Sequence, residues 1–161
     1  MASETHSVDL SFHARLDSVT AVRRFLEVHY RRVVADTELI DRMAVTVHEL
    51  LENAAKYSAG GGSRLHVEMN PSAPHALSVS VANQVDHRHL SGLQETIAEL
   101  SSAPDPVDVY QSYLLRAATR EEGSGLGLAR IFVEAEMSVA IEVADDFVCV
   151  KAVAMPQGGT S

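Results

Sequence analysis

The sequence predicts an α+β fold, a two-layer α/β sandwich with a mixed, mainly antiparallel sheet and helices on one face. Three observations carry this reading. The elements run in the order β-α-α-β-β-α-α-α-β-β, so strands come as adjacent pairs and not as repeated βαβ units. Short turns join two of those pairs into hairpins. The 161 residues, 46% hydrophobic and 22% charged, show no internal repeat and no linker. That suits a single domain, residues 1–161 with a core of about 8–155.

Taken in order, Ser7–Phe12 alternates polar and apolar residues, as a half-buried edge strand does. Asp17-Ser18 supplies a cap for a helix through about Val34, with Val22, Phe25, Leu26 and Tyr30 on one side. Asp36 or Thr37 caps a second helix to about Ser58, ended by Gly60, Gly61 and Gly62. Strands follow at Arg64–Met69 and Ala76–Asn83, turning at Pro71 and Pro74. Residues 86–122 read as helix divided by Pro104 and Pro106, with segments around Leu90–Leu100 and Val109–Thr119. The run Gly123-Ser-Gly-Leu-Gly127 opens another helix through about Glu136. Val139–Ala144 and Phe147–Met155 form a second hairpin across Asp145-Asp146, and the tail from Gln157 is loose.

Composition narrows the function. Thirteen basic residues against twenty-two acids give a net charge of −9, which argues against a general nucleic-acid binder. No stretch approaches the roughly 20 apolar residues of a membrane span, and the amino terminus lacks a basic start and an apolar run. The expectation is a cytoplasmic protein without membrane association. The single cysteine, Cys149, excludes an internal disulfide and sits in an apolar alternation as a small core residue. The eight histidines show no ligand spacing, so no structural zinc is expected. His87-Arg88-His89 reads as a polar helix start, because adjacent helical positions point in different directions.

Two patterns carry chemistry. On the second helix Glu49, Asn53 and Lys56 recur at i, i+4 and i+7, within an arc of about 60°. Ile40, Met43, Ala44, Val47, Leu50, Leu51, Ala54 and Ala55 fill the opposite arc, so the polar stripe faces solvent or a polar cavity. It is either a solvated face with a weak Glu49–Lys56 contact or a carboxylate, an amide and an ammonium aimed at one ligand. An amide oxygen suits magnesium, and a carboxylate one turn away can orient a hydroxyl for attack. The second pattern, Gly123 to Leu128 ahead of a helix, is either a hinge or a cradle whose amides face an anion. Leu128 stands where the dinucleotide fingerprint needs glycine, no strand precedes the run, and the phosphate-loop lysine motif is absent.

In this order and spacing the two patterns resemble the GHKL ATPases, the superfamily of gyrase, histidine kinases and mismatch-repair ATPases, over about residues 8–155. His48 to Ser58 looks like their N box, and Gly123 to Ala129 looks like their G2 box. The resemblance implies the Bergerat, or histidine kinase-like ATPase, fold. It is nearest to the stand-alone anti-sigma-factor serine kinases, which also lack the dimerisation helices bearing a phosphorylated histidine. Carried over, Glu49 is the catalytic carboxylate and Asn53 holds magnesium, with ATP and Mg2+ as cofactors. Gly123, Gly125, Leu126 and Gly127 belong to the lid hinge over the triphosphate, and Lys56 takes a position where the family has a basic or polar residue. The G1 box departs from the pattern. Asn83 stands at the adenine-reading aspartate and Val85 at the first glycine, unless a register shift brings Asp86 into that place.

Three functions stay open. One is an ATP- and magnesium-dependent serine/threonine protein kinase or anti-sigma-type regulator in a bacterial partner-switching pathway. Another is a catalytically degenerate module that binds a small regulatory protein without nucleotide. The third, a histidine autokinase, would need its histidine on a separate chain. The expected partner is a small regulatory protein such as an anti-sigma antagonist, and the resemblance also admits a homodimer.

Overall fold

The computed structural model of the protein describes residues 4–119 and 125–155. Gly123 and the tail from Gln157 lie outside the described residues. Ten elements follow the expected order: β1 (His6–Phe12), α1 (Leu16–Val33), α2 (Thr37–Tyr57), β2 (Ser63–Met69), β3 (Leu77–Gln84), α3 (His87–Ser102), α4 (Pro106–Ala118), α5 (Leu126–Val133), β4 (Met137–Ala144) and β5 (Phe147–Ala154). The sheet order is β1-β2-β3-β5-β4. All four pairings are antiparallel, which is stricter than the mixed sheet expected. Two hairpins account for two pairings, and β1 and β5 enter antiparallel on either side of β2–β3.

Strand alternation sets the two faces. Leu65, Val67 and Met69 of β2 and Leu77, Val79 and Val81 of β3 are buried under the helices, while Arg64 and Glu68 point the other way. Each such aliphatic side chain contributes roughly 1.5–3 kcal/mol on burial. In β5 the inward set is Val148, Val150, Ala152 and Ala154. Cys149 therefore falls on the open face and is only half-buried, which corrects its reading as a core residue. The apolar alternation there has a hydrophobic residue on both faces, so pattern alone could not tell which one was inside.

Helix starts show local chemistry. Asp36, Asp86 and Asp105 accept backbone N–H bonds from Leu39, Arg88 and Val107 at 2.9–3.0 Å. Pro106, with no N–H to satisfy, takes the first helical position of α4. α1 begins earlier than expected, at Leu16, because Ser18 caps from inside the first turn. Its hydroxyl accepts from Arg15 N–H at 3.1 Å and donates to Arg15 C=O at 2.8 Å. α5 ends at Val133 and not near Glu136, since Glu136 adopts φ +51° and breaks the helical path.

Tyr30 ties α1 to the sheet edge. Its buried hydroxyl donates to Val67 C=O at 3.0 Å and lies 3.3 Å from His6 C=O. Burial, then the charges of Glu68 and Asp9, hold its ionisation above the usual phenol range, so it stays a donor. Removing that hydroxyl strands carbonyls of two neighbouring strands. Tyr30→Phe is expected to cost about 1–2 kcal/mol and to lower Tm by roughly 3–6 °C in a thermal melt. An unchanged melt would show that the hydroxyl contributes nothing.

Candidate functional site

α2 carries a buried polar stripe on the face that meets α5 and β4. Arg42, Thr46 and Glu49 recur at i, i+4 and i+7, and all three are buried. Arg42 Nε donates to Ala135 C=O at 2.7 Å and its Nη2 donates to Glu136 C=O at 3.0 Å. Thr46 donates back to Arg42 C=O at 2.9 Å and lies 3.0 Å from Met137 Sδ. Glu49, 7% exposed, accepts from Arg130 Nη1 at 3.2 Å. A buried carboxylate without such a partner would be costly. The bond to Glu49 is the main reason that the Arg130 guanidinium is held above its ordinary range. Sequence reading passed over Arg42, Thr46 and Arg130. The spacing on α2 was there to find, but the distant α5 partner had no local signal.

Gly125 and Gly127 place α5 against this stripe. Gly125 precedes the helix at φ +74°, a backbone state that side chains disfavour. A Cβ on Gly127 would meet Glu49 Oε2, so a larger residue there obliges the Glu49 carboxylate to shift from its place beside Arg130. Leu126 is partly buried at the same helix start.

The expected stripe of Glu49, Asn53 and Lys56 is divided by the fold. Glu49 opens onto a cavity of about 270 Å³ lined by Arg23, Glu27, His48, Arg130 and Glu134, with Ala44 and Val45. Asn53 lines a separate space of about 30 Å³ with Tyr57, Asn83, Val85 and Leu93. Lys56 joins neither. Its ammonium donates to Glu52 at 2.7 Å, and His48 Nε2 lies 3.1 Å from the same carboxylate. The Lys56 hydrogen bond is the first cause holding the Glu52 carboxyl below its usual range. So the weak Glu49–Lys56 contact gives way to a Glu52–Lys56 pair at i, i+4.

The region of the altered G1 box is closed. Asn83 is buried at the end of β3, and its amide nitrogen donates to Gln84 C=O at 2.9 Å. Val85 is 5% exposed and fills the space beside it. The chain here is bonded on both sides: Ala59 N–H to Gln84 C=O at 3.0 Å, and Val85 N–H to Asp146 C=O at 3.1 Å. Asp86 is engaged elsewhere. It caps α3, and Arg88 draws its carboxyl down to about 2. Of the two, Asn83 lines the small space beside Asn53 and Asp86 does not. His89 meets Tyr57 in a tilted ring contact with centres 5.0 Å apart, and His87 lies 3.4 Å from Asp146, so the histidines at the α3 start make separate local contacts.

These residues do not fit an adenine nucleotide in this arrangement. Small-molecule sites are about 300–1,000 Å³, and the space between Asn53 and Asn83 is about a tenth of the lower figure.

A family model described as a histidine kinase-like ATPase domain matches residues 12–146, and the chain belongs to that family. Among solved structures, fourteen chains match significantly. One belongs to the crystal structure of the SiaB–SiaC complex from Pseudomonas aeruginosa, with a TM-score of 0.67 and 16% identity. The match covers 91% of this chain and 88% of that one. At this identity the likeness shows a shared fold. No curated protein is matched by the sequence at a significant level. Among the described residues, no helix is long and apolar enough to cross a membrane.

The contact at Gly127 yields a test with an informative sign. Glycine to alanine inside a helix ordinarily stabilises by about 0.5–1 kcal/mol. Here Gly127→Ala is expected to lose that gain and destabilise by about 1 kcal/mol, because the Glu49 carboxylate must shift and weaken its bond to Arg130. Glu49→Ala in the same background should recover part of that loss. A double-mutant cycle in urea measures the coupling, and additive effects would remove Glu49 as the obstructing group.

Proposed function

We propose that the chain is a regulatory protein that works by binding a small protein partner, of the kind used in bacterial partner switching, and that it does so without nucleotide. The observation that carries the second clause is the space of about 30 Å³ between Asn53 and Asn83, where the family resemblance expects adenine and its metal. Membership of the histidine kinase-like ATPase family supports the first clause, and so does the fold likeness to a chain crystallised in a protein–protein complex. In this reading buried Glu49 and half-exposed Arg130 form an ion pair joining α2 to α5, and the partner is met on the surface.

A second reading, an ATP- and magnesium-dependent serine/threonine kinase, is favoured by a different observation. Glu49 faces a polar cavity of about 270 Å³, open enough to admit an acceptor side chain. Asn53, Lys56, Gly123, Gly125, Leu126 and Gly127 would then keep the cofactor-binding roles the resemblance gives them. This reading needs the space of about 30 Å³ lined by Asn53, Asn83, Val85 and Leu93 to open.

Calorimetric titration with ATP and ADP, with and without magnesium, separates the two. The expected result is no binding heat at millimolar nucleotide. Micromolar, magnesium-dependent binding that disappears in Asn53→Ala would overturn the nucleotide-free reading and establish the kinase reading as the one to test.

A further inference from the structure

The outer face of α1 has a character opposite to that of the whole chain. Against a net charge of −9, α1 holds four arginines and two acids. Arg23 turns inward to the polar cavity, 3.9 Å from Glu27, so that acid is committed there. Asp17 is paired with Arg15 at 3.2 Å. Arg24, Arg31 and Arg32 are exposed and make no ion pair among the described residues. The favourable end of the helix dipole accounts for Arg31 and Arg32, but not for Arg24 at mid-helix.

Between these arginines runs an apolar ridge. Ala21, Phe25 and Val28 recur at i, i+4 and i+7 on the side opposite the buried Val19, Leu26 and Tyr30. Phe25 is 52% exposed and Val28 is 58% exposed. The Phe25 ring is stacked on His29 one turn on, with centres 6.3 Å apart, which holds the aromatic ring in place ahead of any contact. An ordered aromatic anchor rimmed by arginine is the composition enriched in protein interfaces.

We infer that this face docks an acidic segment of the regulatory partner, with an apolar side chain of that segment seated on Phe25 and Val28. The occupant follows from charge. An acidic protein is repelled by most of this chain and attracted only where the sign reverses, so the field steers it to α1. An anionic bilayer fits less well, because a flat surface would also press against the acid-rich remainder of the molecule. This inference deepens the proposed function and rests on its partner-binding clause.

The test uses the full chain and two labelled peptides, one an amphipathic helix of glutamate and leucine, the other its lysine counterpart. Fluorescence anisotropy at low salt should show the acidic peptide bound at least tenfold more tightly, with the preference falling as salt rises. Phe25→Ala should weaken it more than tenfold. The double reversal Arg24→Glu, Arg31→Glu should abolish it and favour the lysine peptide. These side chains are exposed, so thermal melts of the variants should match the parent and exclude unfolding. Equal binding of both peptides, or binding unchanged by the reversal, would overturn the inference. So would adsorption to phosphatidylserine vesicles, or self-association in sedimentation, lost in these variants in place of peptide binding. None of these outcomes alters the nucleotide titration, so the docking face and the nucleotide-free reading fail separately.

Discussion

The Arg42 guanidinium, donating to the carbonyls of Ala135 and Glu136, is the constraint on which the rest of the arrangement depends. Those carbonyls sit where α5 has ended and β4 is about to begin. Fixing them fixes the line of α5 along α2. Two turns up α2 from Arg42, that alignment brings Gly127 and Arg130 opposite Glu49. It also stabilises Glu136 in a left-handed conformation, a state that costs a non-glycine residue about 1–3 kcal/mol unless its surroundings enforce it. Met155 N–H closes the same carbonyl from the far side at 3.2 Å. One buried cation thus terminates a helix, starts a strand and sets an interhelical distance.

The two sides of α2 do different physical work. Toward α5 it presents charge and hydrogen bonds, each matched by a partner, in a polar cavity. Toward β3 it presents Asn53 beside Leu50, Ala54 and Tyr57, and valines from three neighbouring segments close the space. In the family pattern that second side needs glycine, so that backbone can pass a planar base without a side chain intervening. Val85 supplies bulk where the pattern supplies none, and bonds from Tyr57, Ala59 and Asp146 to this stretch hold it in.

The order and type of the elements were legible because each depends on short-range rules: strand alternation, aspartate caps, and prolines at helix starts and turns. Departures came where tertiary contacts decided. Helix α5 stops early because of Arg42, ninety-odd residues before it in the chain. Cys149 faces outward because β5 is apolar on both sides. The Glu49, Asn53, Lys56 stripe was correctly placed on one helix, yet it spans an arc wide enough to touch two cavities and solvent. Spacing could place Glu49 on a polar face, but its Arg130 partner comes from a helix that periodicity cannot position in space.

The pairing of β1 with β2 has a bearing on how the sheet is built. Phe12 opposes Ser63, so closing that pair must gather two whole helices into a loop. The β2–β3 and β4–β5 pairs close across short turns and lose far less chain entropy. Formation of β1 is therefore repaid only once α1 is docked, when Tyr30 offers its hydroxyl to the carbonyl of His6. The edge strand thus carries a larger loop-closure cost than either hairpin. The first helix, which carries the basic outer face, is the part of the molecule that fastens it.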